Sequence, residues 1–147
     1  MEVDGRKYRT VWMEGSTVFL IEQNLLPFEF RIHELKTYSE CCHAITMMTV
    51  RGAGAIGAMA GFAMALAFME APSGYFLPFI TKARGEIEAT RPTARNLFYA
   101  TERVFTAGLI SREAAIEEAH QIADKDALGS RRIGEIGNVL IPHGARI

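Results

Sequence analysis

From Gly52 to Met69 the chain runs 18 residues without a charge, and this stretch constrains the fold more than any other. Its length reaches the lower edge of a membrane span, yet it is dominated by Gly and Ala rather than by Leu, Ile and Val. Neither a second span nor an aromatic belt accompanies it. The stretch therefore reads as a helix buried inside the fold, and no membrane is expected as a partner.

The remaining sequence is suited to enclosing such a helix. With 147 residues and 49% hydrophobic content it can bury one ordinary core, and no charge-rich or low-complexity tail points to disorder. One domain is expected over 1–147. Lys and Arg number 16 against 17 Asp and Glu, for a formal charge of -1. That balance lacks the basic footprint of a nucleic-acid binder. Cys41 and Cys42 are the only cysteines, and sequence neighbours make a poor disulfide. They match no metal-ligand spacing, and His33, His43, His120 and His143 are scattered. A reduced, cytoplasmic setting is expected, with no metal and no cofactor, and with both cysteines serving packing. No basic stretch followed by an apolar block opens the chain, so a secretory signal is not expected.

The first 35 residues read as a small antiparallel sheet of about three strands. Lys7 to Met13 and Thr17 to Glu22 are rich in β-branched and aromatic residues, and Glu14-Gly15-Ser16 between them has the composition of a hairpin turn. A third strand is expected over Phe28 to His33, where alternation places Phe28, Phe30 and Ile32 on a buried face and His33 on the opposite, exposed one.

From residue 36 onward the period is helical, and a bundle of about five helices is expected. Thr37-Tyr38-Ser39-Glu40 has the form of a capping box opening a helix towards Met48. After the buried helix, Ala71-Pro72-Ser73-Gly74 breaks the chain, and another helix reaches about Ala89. Thr90-Arg91-Pro92-Thr93 punctuates again. Leu97, Ala100, Thr101 and Val104 then recur at helical spacing, Ala107-Gly108 ends that run, and Ser111 caps a long segment rich in Ala, Glu and Ile. The fold class is α+β, mostly α. Residues Asn138 to Ile147 read as a helix end and a turn leading into a strand. Ile147 either finishes a short strand or precedes a segment that lies outside this chain.

Val50-Arg51-Gly52-Ala53-Gly54-Ala55-Ile56-Gly57 opens the buried helix and carries the chemistry. Free N–H groups at a helix start bear partial positive charge, a glycine turn permits close approach, and an arginine adds a planar, fully charged fork. A phosphorylated small molecule fits this combination. The alternative reading gives the glycines to close helix packing and makes Arg51 a solvated cap. Gly52, Gly54 and Gly57 also satisfy the dinucleotide spacing, with Glu70 near the expected acidic position. However, Cys41 to Met48 reads as helix rather than as the required preceding strand, and no β-branched strand leads to Glu70. A nucleotide P-loop lacks its Lys and Ser/Thr here.

Three ordered motifs together resemble one family. They are Val50-Arg51-Gly52-Ala53 with Ala55-Ile56-Gly57, Arg91-Pro92-Thr93-Ala94 with Asn96-Leu97-Phe98, and Ile133-Gly134-Glu135 with Gly137, joined by Leu26-Pro27-Phe28-Glu29-Phe30. They look like the signatures of methylthioribose-1-phosphate isomerase, which shares a superfamily with ribose-1,5-bisphosphate isomerase and the regulatory subunits of eIF2B. The resemblance covers almost the whole chain and implies an N-terminal sheet-plus-bundle domain. A Rossmann-like catalytic C-terminal domain, absent here, would complete the active site.

By the matching motifs Arg51, Gly52 and Ala53 would contact a sugar phosphate and Arg91 would be a second substrate-binding arginine, each arginine at a helix start and the two guanidinium groups converging on one anion pocket. The family's reacting cysteine and aspartate lie beyond this chain, so no catalytic residue is expected within it and the isolated chain should not turn over substrate. The implied partners are a phosphorylated pentose, the C-terminal domain and, at full length, a second copy in a homodimer. Three positions depart from the pattern: Gly54 stands where proline is usual, Ile136 where histidine is common, and Arg95 where an apolar residue is usual.

Overall fold

In the computed structural model, which describes residues 2–145, the chain starts with two small sheets and continues as helices. Strands β1 (Glu2–Val3) and β2 (Arg6–Lys7) form a separate two-stranded hairpin across Asp4-Gly5, both with positive φ. Asp-Gly is the usual pair for a turn needing two left-handed residues. It draws Lys7 into this hairpin, so the expected first strand splits. Strands β3 (Val11–Glu14), β4 (Thr17–Ile21) and β5 (Ile32–Leu35) form an antiparallel sheet in the order β3-β4-β5.

The third strand begins four residues later than expected. Phe28 stands in the preceding turn, 95% exposed, and Phe30 packs its ring 5.0 Å from that of Tyr8. The register pairs His33 with Leu20 and Leu35 with Val18, so His33 shares the face of these buried residues. The expectation that His33 sits on an open face is thereby corrected. Its side chain is 39% exposed, with Nε2 3.0 Å from Glu22 Oε2. Alternation set the wrong phase because apolar residues of the turn were counted as strand.

Helix α1 (Tyr38–Thr46) carries the capping box foreseen: the Thr37 hydroxyl accepts from Glu40 N–H, and the Glu40 carboxylate accepts from Thr37 N–H. Helix α2 (Ala53–Glu70) is the buried run, every residue from Ile56 to Phe68 being buried. It is long and apolar enough to cross a membrane, but its burial inside the molecule makes it the core helix. A short 3₁₀ turn at Ser73–Tyr75 leads into α3 (Phe76–Thr90), followed by α4 (Arg95–Gly108) and α5 (Arg112–Asn138). Ser111 caps α5 by accepting from Ala114 N–H at 3.1 Å. Among the described residues no strand follows α5, and Arg146 and Ile147, where one was expected to finish, lie outside them.

Small residues set how closely the helices approach α2. A Cβ at Gly57 would stand 3.0 Å from the Asn96 carbonyl oxygen of α4, and one at Gly108 would meet the Phe68 ring at 2.2 Å. Contacts from residue 57 to 96 and from 68 to 108 mean that α4 runs parallel to α2. The Phe62 and His120 rings are 5.4 Å apart and Asp126 lies beside Gly54, so α5 runs antiparallel. Tyr38 N–H donates to Glu70 Oε1 at 2.7 Å, and Phe76 packs 5.8 Å from Phe68, so α1 and α3 are antiparallel to α2 as well. One end of the bundle therefore collects the end of α1, the start of α2, the end of α3, the start of α4 and the middle of α5.

Candidate functional site

The turn from Met47 to Gly52 joins α1 to α2 at that end. Met48 takes the left-handed conformation at φ 54°, Thr49 N–H donates to Ala44 O at 2.9 Å, and the fully buried Val50 anchors the turn. Arg51 comes next, exposed, and Gly52 follows at φ 95°, a value that favours glycine. No side chain caps α2, and its first turn holds no acidic residue. The N–H groups of Ala53, Gly54 and Ala55 precede the first intrahelical bond, from Ile56 N–H to Gly52 O at 2.9 Å.

Arg51 is clasped from the loop after β4. Its backbone N–H donates to Gln23 Oε1, its Nη2 to Asn24 Oδ1, and its Nε to Met48 O at 3.3 Å. Gln23 N–H in turn donates to Thr49 O at 3.0 Å, so Gln23 and Asn24 grip the turn at several points. These residues were not singled out from the sequence. The available signal was a polar Glu22-Gln23-Asn24 triplet closing an apolar strand.

Arg91 lies at the same end but not at a helix start, as was expected for it. It is the C-cap of α3, at φ -146° and ψ 79° before Pro92, and its carbonyl accepts from Ala94 N–H at 3.0 Å as the chain turns into α4. Its Nη1 is buried and has no hydrogen-bond partner, although the residue as a whole is half-buried. Helix α4 begins with an uncapped N-terminus at Ala94, and Arg95 is exposed on its first turn. The topology thus brings the turns of Arg51 and Arg91 to one end of the bundle.

Asp126 of α5 borders this end too, and sequence reasoning missed it. A Cβ on Gly54 would fall 1.8 Å from Asp126 Oδ1, so the lack of a side chain at Gly54 makes room for this carboxylate. Gly54, Gly57, Asn96, Tyr99, Lys125 and Asp126 line a cavity of about 240 Å³ between α2, α4 and α5. The glycines therefore serve close packing at Gly54 and Gly57, and turn geometry at Gly52. Among the described residues no three His, Cys, Asp or Glu side chains gather as a metal site.

Cys41 is buried and Cys42 half-buried in α1, away from this end. Burial pushes both thiols up, Cys42 to about 11 with the Glu86 carboxylate adding to the effect. Both are un-ionised at neutral pH, which suits packing rather than nucleophilic chemistry.

No family model matches the chain. Curated relatives do. Over the whole chain it is 40% identical to methylthioribose-1-phosphate isomerase of Methylobacterium nodulans and 41% identical to that of Methylorubrum extorquens, covering 40% of each. The crystal structure of 5-methylthioribose 1-phosphate isomerase from Pyrococcus horikoshii superposes with a TM-score of 0.85 at 37% identity, over 92% of this chain and 41% of that one. The chain belongs to the methylthioribose-1-phosphate isomerase and eIF2B-like superfamily, as an N-terminal part.

A translation initiation factor subunit matches as well. The translation initiation factor eIF-2B subunit delta from A. fulgidus matches with a TM-score of 0.78 at 32% identity, over 94% of this chain and 43% of that one. The chain spans about 40% of the length of the curated superfamily relatives it matches.

Proposed function

We propose that this chain is the phosphate-gripping half of an aldose-ketose isomerase acting on a pentose 1-phosphate, with 5-methylthioribose 1-phosphate as the favoured substrate and the cytoplasm as its setting. Isomerisation to the ketose moves a proton or hydride between adjacent carbons, and the groups that do so belong to a C-terminal α/β domain. Here Arg51, Gly52 and Ala53 hold the phosphate and Arg91 supplies a second cation, within a full-length homodimer.

One observation carries this reading: a fixed, exposed guanidinium stands beside an uncapped helix start whose first turn has no acidic residue of its own. Such a start and a cationic fork suit a phosphate dianion better than they suit a neutral ligand. Its test is turnover by the full-length protein of 5-methylthioribose 1-phosphate and of ribose 1,5-bisphosphate, assayed side by side. Arg51→Ala should lower kcat/KM about 10- to 100-fold, the range expected for losing a charged hydrogen-bond donor. Activity on the bisphosphate alone reassigns the substrate. No turnover of either favours the second reading, an eIF2B-like regulatory domain, which the likeness to eIF-2B subunit delta supports.

A further inference from the structure

We infer that Asn24 is a positioning residue for the phosphate grip, holding the Arg51 guanidinium in place without neutralising it. The inference rests on the phosphate reading above. An arginine side chain presents five N–H donors in a rigid plane and loses considerable rotamer freedom when fixed. Here Nε is committed to Met48 O and one Nη2 hydrogen to Asn24 Oδ1, which leaves three donors. Both contacts are to neutral carbonyl oxygens. The full positive charge therefore stays available to a ligand, whereas a carboxylate at the same position would cancel most of it.

Asn24 is itself oriented. Its Nδ2 donates to Met47 O at 3.4 Å, which turns the amide oxygen towards Arg51. Its backbone N–H donates to Glu22 Oε1 at 3.1 Å, and the other oxygen of that carboxylate faces His33 Nε2 at 3.0 Å. The Glu22 side chain is only 12% exposed, so this support is largely shielded from water. The one acid in the clasp is thus turned towards His33 and a backbone donor, and an uncharged amide meets the arginine. Pre-ordering of this kind lowers the entropy lost when the anion binds.

Two variants of the 147-residue chain separate position from charge. Side-chain ¹⁵N spectra of Arg51 report whether rotation of the guanidinium is hindered, and titration with inorganic phosphate, followed by backbone shifts of residues 51–55, gives an affinity. In the parent chain Arg51 should be ordered and phosphate should bind weakly. Asn24→Ala should free the guanidinium and weaken binding roughly 2- to 10-fold, the effect expected from ordering one long side chain on binding. Asn24→Asp should leave Arg51 ordered and weaken binding at least as much.

The inference is overturned by an Arg51 that stays equally ordered in Asn24→Ala, by one that is freed with unchanged affinity, or by undiminished binding in Asn24→Asp. A parent chain with ordered Arg51 and no response to phosphate overturns the phosphate reading instead. In that case the Asn24→Ala spectrum still decides whether the clasp exists.

Discussion

Arg51 and Arg91 do different work in the free protein. Arg51 is exposed and pinned by neutral acceptors, whereas Arg91 keeps a buried Nη1 without a partner. An unsatisfied buried donor costs about 1–3 kcal/mol. Arg91→Met, of similar length and apolar, should therefore leave the melting temperature unchanged or raise it, while lowering phosphate affinity. Calorimetry and the phosphate titration check the two halves, and a clear loss of stability would show that Arg91 is structural. The arginines were readable in the sequence because glycine and proline mark their turns. Their surroundings were not. Asn24 reaches Arg51 across 27 positions and Asp126 reaches Gly54 across a helix pair, and no local period records either contact.

Helices were more legible than strands, for a physical reason. The Thr37-Glu40 box, the uncharged run and the Ser111 cap each signal through neighbours within one or two turns. Strand β5 depends on a partner elsewhere, and its register was set by β4 rather than by its own alternation. The capped start of α1 also gives a pH prediction. Backbone N–H groups of Lys36 and Thr37 hold the Glu40 carboxyl below its usual value, partly offset by burial. Its contribution to stability is present above the ordinary carboxylate range and is lost as pH falls through its lowered pKa. Glu70 is raised, mainly by burial, although it accepts from Tyr38 N–H. Its contribution has the opposite sign, present in acid and lost as pH rises through its raised value. At pH 7, Glu40→Gln should melt below the parent and Glu70→Gln at or above it. Both differences should shrink towards pH 3 in thermal scans. Equal displacement at both pH values would contradict the assignment.

At the scale of the molecule, the core is one helix with neighbours packed around it, and α5 outruns the rest. Its buried residues end at Ala123, while Leu128, Ile133 and Ile136 are exposed further along, as is Leu140 in the turn after it. Replacing Ile133 and Leu140 together by Ser should change unfolding free energy by less than about 0.5 kcal/mol. Phe68→Ala, at the fully buried contact of α2 with α4, should cost about 3–5 kcal/mol. Denaturant titration compares them, and a large loss from the double Ser variant would mean that this stretch is packed in solution.

Helix α5 also has leverage. From Ala123 to Asn138 it extends roughly 22 Å past its last buried residue, at about 1.5 Å per residue. A tilt of about 10° at Ala123 would sweep its tip through about 4 Å over such an arm. The pivot lies one turn from Asp126, the carboxylate seated over Gly54. Force applied at the far end is thus delivered close to the turn of Arg51 and Gly52, at the point where the Asp126 carboxylate packs against Gly54.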